Sequence, residues 1–323
     1  MWQIYTNSRR LRLLDRFYPK LKSLVRPVSR HRRLLERTKY LGTPILRPQD
    51  GNNFLADSID RPGAVGKIGA GEIAALRHYM RRADPGGRCE SWPGYVARNL
   101  HRIAGVYPPE PAIFSRFCRT YAEALTSLDA LAVWYNFGEN AARRRYAPKA
   151  TLMHLNAIEP FYHDPPWSRH LAGKSVIVMS PFAATIKEQY KRRQQVWRGR
   201  PDVLPDFQLR AIGVPLSAYL ETPEYPDWFT ALDGLCTRME AAMPFDVAIV
   251  GAGAWSISLV AHAKKLGAWA IHLGGATQIL FGVKGRRWET NKRVTAFYNA
   301  AWTRPSESET PANVQAVEGG CYW

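Results

Sequence analysis

One acidic residue follows a glycine-rich turn at the point where an apolar run changes into a helical pattern. Residues 64–76 read AVGKIGAGEIAAL, which places Glu72 shortly after Gly69 and directly after Gly71. Glycine turns of this kind let backbone N–H groups approach a phosphate, but a carboxylate repels a bare diphosphate unless a divalent cation lies between them. Glu72 is equally explained as a first-turn helix residue, which the helix dipole favours by about 0.3–1 kcal/mol. The turn therefore predicts either a metal-assisted phosphate site or the start of a helix.

A second glycine turn lies in residues 246–275, which read DVAIVGAGAWSISLVAHAKKLGAWAIHLGG. An apolar strand, the turn from Gly251 to Gly253, a helix and a second strand make up one βαβ unit, whose positive helix end suits a phosphate. Ser256 stands where the dinucleotide fingerprint has its third glycine, and no Asp or Glu follows the second strand to hold a ribose. The pattern therefore disfavours NAD. A tight strand-to-helix turn without any ligand is the other interpretation.

Short apolar runs that alternate with longer helical patterns predict the elements that carry these turns. The candidate strands are residues 64–68, 131–135, 150–155, 175–180, 207–214, 246–251 and 269–274. The candidate helices include residues 72–82, 111–125, 185–193, 228–243 and 256–266. This order indicates an α/β fold with a mostly parallel, Rossmann-like sheet and helices on both faces. Ligands of such sheets bind beyond the carboxyl ends of the strands, where both glycine turns would lie.

Two further acids follow predicted strands. Glu139 lies in NFGEN after the second candidate strand, and Glu159 lies in NAIEPF after the third. Either carboxylate can act as a general base at that edge of the sheet. A helix-start or surface carboxylate is the other explanation for each of them.

The composition excludes several classes of protein. The 323 residues are 46% hydrophobic, which is typical of a globular chain rather than a disordered one. The four cysteines are widely spaced, without the CxxC pairs of zinc ribbons, and indicate reduced thiols in a cytoplasmic protein. The sequence contains no run of about 18 apolar residues, which is the length that a membrane-spanning helix needs. The nucleophile-elbow and phosphate-loop motifs of hydrolases and NTPases are also missing.

Basic residues are concentrated at the N-terminus. Residues 1–40 contain twelve Lys or Arg against Asp15 and Glu36, which gives +10 of the formal net charge of +18. Apolar residues at three- to four-residue spacing make this segment amphipathic, which suits an anionic membrane surface. Nucleic acid is the rival partner, and a solvated basic helix packed on the body is the third interpretation. We divide the chain into a basic amphipathic extension (1–60), an α/β domain (61–304) and a C-terminal extension packed on that domain (305–323).

Several segments resemble the bacterial GT-D-type glycosyltransferases. They are GAGE (69–72), GKSVIVMSPFAATIKEQY (173–190) and GAGAWSISLVAHAKKLGAWAIHLGGATQILFG (251–282). FGVKGRRW (281–288) and ESETPANVQAVEGGCYW (307–323) are similar to related proteins associated with cell-surface polysaccharide. In that family the first strand ends in Asp-Gly-Glu, which is implicated in binding the metal and diphosphate of a nucleotide-sugar donor. Here Glu72 is retained, whereas Ala70 replaces the aspartate.

The resemblance implies transfer of a sugar from a nucleoside diphosphate sugar to a polysaccharide or lipid-linked acceptor, by a cytoplasmic protein peripheral to the inner face of the membrane. It implies Glu72 as a catalytic residue and ligand of Mn²⁺ or Mg²⁺, beside the candidate bases Glu139 and Glu159. The cofactor-binding residues expected with it are Gly69, Gly71, Gly251, Gly253, Ser256, Lys284, Arg286 and Arg287. The three basic ones would offset the diphosphate charge in place of a missing metal, although ordinary surface charge also explains them.

Two other classes of function stay open on the sequence. Ala70 cannot coordinate a cation, so a catalytically silent nucleotide- or glycan-binding protein of the same fold is the alternative. A nucleic-acid-binding protein is supported by charge alone, and that charge is concentrated in the N-terminal segment rather than in the α/β body.

Overall fold

A fully parallel seven-stranded sheet organises the protein. The computed structural model describes residues 38–216, 223–316 and 318–323, so most of the predicted basic extension lies outside the described residues. The strands are β1 (Lys39–Tyr40), β2 (Thr43–Pro44), β3 (Gly63–Gly66), β4 (Ala130–Val133), β5 (Thr151–His154), β6 (Ser175–Ser180), β7 (Gln208–Gly213), β8 (Val247–Val250) and β9 (Trp269–His272). Strands β1 and β2 form a small antiparallel hairpin, and the others follow the order β5-β4-β3-β9-β8-β6-β7.

Helices connect the strands and cover the sheet. They are α1 (Pro48–Ser58), α2 (Ala70–Arg82), α3 (Gly94–Arg102), α4 (Pro111–Leu125), α5 (Glu139–Tyr146), α6 (Ala183–Lys191), α7 (Arg193–Val196), α8 (Trp228–Glu240), α9 (Ser256–Lys265), α10 (Ala276–Leu280), α11 (Arg286–Glu289) and α12 (Lys292–Thr295). Local signals set several of these boundaries. Pro111 begins α4, the Asp227 side chain accepts hydrogen bonds from the first turn of α8, and Gly267 follows α9 with a φ of +90°.

The inner strands β3, β4, β6, β8 and β9 bury both of their faces, as a parallel sheet between two helical layers requires, whereas the edge strand β7 is mostly half-buried. Along β8, Ala248 and Val250 join the core beneath α2, α4, α8 and α9, whereas Val247 and Ile249 join the core beneath α1, α6 and α10. The predicted α/β class, with a parallel sheet and helices on both faces, is therefore confirmed. None of the helices in the described part of the chain is long and apolar enough to cross a membrane.

Residues on either side of the predicted domain limits also belong to the folded body. Leu55 and Ile59 precede residue 61 and are buried in the core, and Leu46 forms a parallel bridge with Met153. At the other end, the Trp323 ring packs edge-on against the buried Phe182, with 5.7 Å between the ring centroids. The structured body therefore begins before the predicted boundary at residue 60, because α1 is needed to cover one face of the sheet.

Candidate functional site

The carboxyl ends of β3 and β9 form the topological switch point of the sheet. The chain runs outward from β3 to β4 and β5, whereas β9 follows β8 and returns to pair with β3. The loops after these two neighbouring strands therefore leave in opposite directions. In open α/β sheets this is the position at which ligands bind. Lys67 comes directly after β3, and His272 is the last residue of β9.

Lys67 is a buried cation at this switch point. Only 5% of the residue is exposed, and its Nζ donates a 2.9 Å hydrogen bond to the Leu273 carbonyl. Burial lowers the pKa of Lys67 to about 8, which Glu159 opposes and Arg287 reinforces. The ammonium group also lies 5.2 Å from the ring centroid of Trp134. Lys67 is thus a largely desolvated positive group that keeps most of its charge at neutral pH.

Glu159 faces Lys67 from the segment after β5. Burial raises the pKa of the half-buried Glu159 carboxyl to about 7, although Lys67 and Arg293 favour its ionised form. The Asn156 amide donates to its Oε2 over 3.3 Å. A carboxyl group with a pKa near 7 can gain and lose a proton at neutral pH, as a general acid or base must.

His272 and Gly274 fix the position of Lys67. The His272 ring contacts the Lys67 carbonyl through Nδ1 at 3.1 Å, and burial lowers the pKa of His272 to about 3, so the imidazole is neutral at pH 7. Gly274 has a φ of +59°, and a Cβ there would lie 3.0 Å from Lys67 Cε. A glycine is therefore required where the loop after β9 passes the lysine side chain.

Arg287 brings a second cation to the same edge. Its guanidinium lies 4.9 Å from the Tyr322 ring centroid, and a Cβ added to Gly275 would lie 3.4 Å from its Nη1. Its backbone N–H donates to the Cys321 carbonyl, so the C-terminal residues hold it in place. This placement agrees with the predicted diphosphate-binding role of Arg287, which stays a prediction.

The other two predicted basic residues lie in different surroundings. Lys284 Nζ is 5.4 Å from the Tyr298 ring centroid. The exposed Arg286 donates to the Gln315 side chain and to the Gly319 carbonyl. The KGRR segment therefore separates into Arg287 near Lys67, Arg286 on the C-terminal residues and Lys284 beside Tyr298, a division that the linear sequence could not indicate.

Glu72 lies in the first turn of α2, as the helix-start interpretation predicted. Its carboxylate folds back toward Gly69, where an added Cβ would lie 2.2 Å from Oε2, and it contacts its own backbone N–H. Burial raises the pKa of Glu72, its own N–H lowers it, and Glu318 raises it further. Gly71 lies in the same turn, between Glu72 and the exposed Ala70.

The donor atoms around Glu72 do not make up a metal-ligand set. Within the described ranges no three His, Cys, Asp or Glu side chains converge as a metal site would need. The first position of the resembled motif, Ala70, has no donor atom. These residues do not fit a resident Mn²⁺ or Mg²⁺, and we derive no catalytic step through such an ion.

Glu139 and the second glycine turn have structural partners. The Glu139 side chain is fully buried and accepts hydrogen bonds from the backbone N–H groups of Trp134 and Asn136, while burial raises its pKa to about 7. Ser256 is fully buried, and its Oγ accepts from the Ala252 N–H over 3.0 Å. These contacts account for both residues without a ligand, and their predicted roles stay predictions.

The two predicted glycines of that turn also have geometric reasons for being glycine. A Cβ on Gly251 would lie 2.9 Å from Thr277 Oγ1 and 3.0 Å from the Gly274 carbonyl oxygen. Gly253 has a φ of +54°, which L side chains rarely adopt. The turn lies at the same edge of the sheet as the Glu72 turn, but β9 separates their strands. Gly251 therefore lies against the loop after β9. This loop also passes Lys67, which together with Glu159 and Arg287 we call the Lys67 cluster.

Two surface cavities lie away from this cluster. One of about 330 Å³ lies beside α1 and is lined by Asn52, Asp57 and Arg169 among others. The other, of about 360 Å³, lies at the amino end of β3 and includes Arg61 and Asp129. Neither contains the buried ionisable groups that chemistry requires, so we place the candidate site at the carboxyl edge.

Lys67 was missed by the sequence analysis, although one signal for it was present. It stands inside the apolar run AVGKI, where a charged side chain is unexpected unless it has a partner. The electrostatic interaction between Lys67 and Glu159 depends on the order of β3, β4 and β5 in the sheet, which the sequence does not fix.

Comparison with known proteins gives two similar structures. No protein-family model and no curated protein matches the chain. A structure of domain of unknown function 1792, described as having a distinct glycosyltransferase fold, is 15% identical over 75% of this chain and 79% of its own, with a TM-score of 0.41. The selenomethionine-substituted structure of that domain is 14% identical over 76% and 81%, also with a TM-score of 0.41. The chain is similar to both of these structures.

Proposed function

We propose that this protein transfers a sugar from a nucleoside diphosphate sugar to a hydroxyl group of a polysaccharide or lipid-linked acceptor. One observation carries the proposal: a buried lysine, a second cation and a carboxyl group with a pKa near 7 meet at the switch point of a parallel sheet. A transferase needs both functions at one place, because it must stabilise a departing diphosphate and accept a proton.

In the proposed reaction the two cations bind the diphosphate. Lys67 and Arg287 neutralise the negative charge that grows on the leaving phosphate oxygen as its bond to the anomeric carbon breaks. Their charges act strongly because both groups are largely removed from water. Arginine adds a planar donor group that matches phosphate oxygens. No divalent cation is needed for this part of the chemistry.

Glu159 accepts the proton in the same reaction. The acceptor oxygen forms a bond to the anomeric carbon, the bond from that carbon to the diphosphate breaks, and the hydroxyl proton passes to the Glu159 carboxylate. The products are the glycosylated acceptor, the nucleoside diphosphate and a protonated Glu159. Glu72 orients a donor hydroxyl by accepting its hydrogen bond.

A specific observation also favours the second candidate, a catalytically silent binding protein of the same fold. Ala70 stands where the resembled motif has its first acid, so one part of the usual donor site is missing. Such a protein would bind the nucleoside diphosphate sugar through Lys67 and Arg287 without breaking it.

The test is sugar transfer by the full-length protein. It is incubated with UDP- and GDP-sugars and a mixture of lipid-linked and polysaccharide acceptors, without added metal, and released nucleoside diphosphate and glycosylated product are measured by mass spectrometry. Glu159→Gln should bind the donor as the wild type does and lose turnover, whereas Glu188→Gln, on the exposed face of α6, should keep both. Donor binding without turnover in the wild type would favour the silent protein, and no binding of any donor would contradict both candidates.

A further inference from the structure

Two large aromatic side chains project from the loop that borders the candidate site. Phe137 is 80% exposed and Trp134 is 38% exposed, although most aromatic residues of the described chain are packed in the core. The Trp134 ring also borders the site, because Lys67 Nζ lies 5.2 Å from its centroid. Exposed aromatic side chains grouped on one loop indicate a surface that binds another molecule.

The loop displays these rings in a fixed position. The buried Glu139 carboxylate accepts from the backbone N–H groups of Trp134 and Asn136, and the Asn136 amide donates to the Ile68 carbonyl. Gly138 adopts a φ of +96° beside Arg77, whose guanidinium lies 4.3 Å from the Phe137 ring centroid. A preformed loop loses little conformational freedom when it binds, which favours a role in recognition.

Strong positive charge flanks the two rings. Helices α2 and α5 pack against each other and carry six arginines and two acids, Glu72 and Glu139. Both acids turn inward, one onto the helix start and the other into the loop after β4. The flanking arginines that form no salt bridge with any described residue include Arg77, Arg81, Arg144 and Arg145. We call Trp134, Phe137 and these four arginines the docking face.

We infer that the docking face binds the surface of an anionic lipid bilayer. The Trp134 and Phe137 rings enter the boundary between headgroups and acyl chains, and the arginines of the flanking helices α2 and α5 that form no salt bridge bind the lipid phosphates. A single loop with two exposed rings is suited to shallow insertion, and the excess of arginines on the flanking helices α2 and α5 matches a negatively charged plane.

The course of the chain supports the same partner. Residues 1–37 carry eleven Lys or Arg and lead directly into β1. Tyr40 of β1 packs edge-on against Tyr135, with 5.3 Å between ring centroids, so the basic N-terminal sequence joins the body beside the docking face. The two basic regions therefore can act on one membrane surface together. The inference does not depend on the proposed transfer reaction, but if both hold, the site opens toward lipid-linked acceptors.

The test places an environment-sensitive NBD label at two positions of the full chain. Phe137→Cys carries the label on the docking face, and Met243→Cys carries it at an exposed position shortly after α8, in a background where Cys236 and Cys321 are replaced by Ser. On vesicles of phosphatidylglycerol and phosphatidylcholine, the emission of the label at 137 should shift to the blue and rise several-fold. The label at 243 should not change, and neither label should respond to pure phosphatidylcholine.

Charge variants supply the second measurement. Arg77→Gln combined with Arg144→Gln should lower the vesicle partition coefficient about fivefold for each arginine removed, whereas Arg238→Gln on the exposed face of α8 should leave it unchanged. An unresponsive label at 137 on vesicles that bind the protein would overturn the inference, because the N-terminal sequence would then act alone. So would an equal response at 243, or a response at 137 to DNA or to an acidic protein but not to vesicles.

Discussion

At the scale of single residues, Lys67 and Glu159 are two opposite charges whose pKa values burial displaces toward neutrality. Each stabilises the charged form of the other, yet the loss of water outweighs that help for both groups. Proton exchange close to pH 7 is the consequence. Because the two groups interact, protonation of one changes the pKa of the other, and a titration in solution follows both groups together.

The residue scale predicts a narrow pH profile for transfer. The rate should rise as pH passes about 7, since Glu159 must be ionised to accept a proton, and fall as pH passes about 8, since Lys67 must be protonated to hold the diphosphate. The measurement is kcat/KM between pH 5.5 and 10. Lys67→Arg, which stays charged, should remove the alkaline limb only. An unchanged alkaline limb in that variant would show that another group is responsible.

Single residues also show what the sequence could predict of the site. Glu72, Glu159 and Arg287 were predicted from their places after strands or in a basic cluster, and of these Glu159 and Arg287 lie close enough to Lys67 to influence its charge. The sequence could not predict a role that depends on which residues surround a side chain in the fold. Glu139 and Glu159 follow strands in the same way, but one is used to hold a loop and the other faces a buried lysine.

At the scale of elements, the start of α2 determines what Glu72 can do. The helix has no side-chain cap at Gly69, and the Glu72 carboxylate occupies the positive end of the helix instead. We predict that Glu72→Gln changes the free energy of unfolding by less than about 1 kcal/mol, because only the helix-dipole interaction is weakened. Urea unfolding measures this value.

Donor binding distinguishes the two roles of Glu72, which are to orient the donor or only to begin the helix. If Glu72 orients the donor, Glu72→Gln should weaken nucleotide-sugar binding at least tenfold in calorimetry, while Glu123→Gln on the exposed side of α4 should not. Unchanged binding together with lower stability would mean that Glu72 only begins the helix.

The glycine turn after β8 yields a prediction about packing. Gly251→Ala places a methyl group 2.9 Å from Thr277 Oγ1 and 3.0 Å from a backbone oxygen, so the loop after β9 must move. The expected loss of stability is about 1–3 kcal/mol in urea unfolding, as for other overpacked sites. Gly213→Ala is the matched control, since its nearest neighbour would be the Ala183 Cβ at 3.9 Å. Equal effects of the two substitutions would contradict this account of the turn.

Elements were the most predictable part of the molecule. All seven strands of the sheet were predicted, and two elements have the predicted limits. Strand β6 has a clear run of β-branched and apolar residues, and α4 has clear helical periodicity. Helix α1 was not predicted. Its sequence PQDGNNFLADS is polar and contains Gly51, where a Cβ would lie 2.6 Å from the Ala157 Cβ. Tertiary packing, rather than helix propensity, stabilises that helix.

At the scale of the whole molecule, the body should fold without the N-terminal sequence. Residues from 38 onward build the cores on both faces of the sheet, so thermal unfolding should stay cooperative when residues 1–37 are deleted. Vesicle co-sedimentation should weaken but persist, since the docking face remains, and should vanish when Phe137→Ser is added. Loss of cooperative unfolding in the truncated chain would contradict the first expectation, and complete loss of vesicle binding on truncation alone would contradict the second.

Calorimetric titration of UDP and GDP into the full-length protein, without divalent metal, tests the central claim most directly. The account predicts saturable binding of at least one of them to the wild type, at least tenfold weaker binding to Lys67→Met and to Arg287→Met, and unchanged binding to Lys284→Met, whose side chain lies by Tyr298 instead. Binding that requires manganese and is unaffected by Lys67→Met would contradict the account, because the carboxyl-edge cations would then not hold the diphosphate.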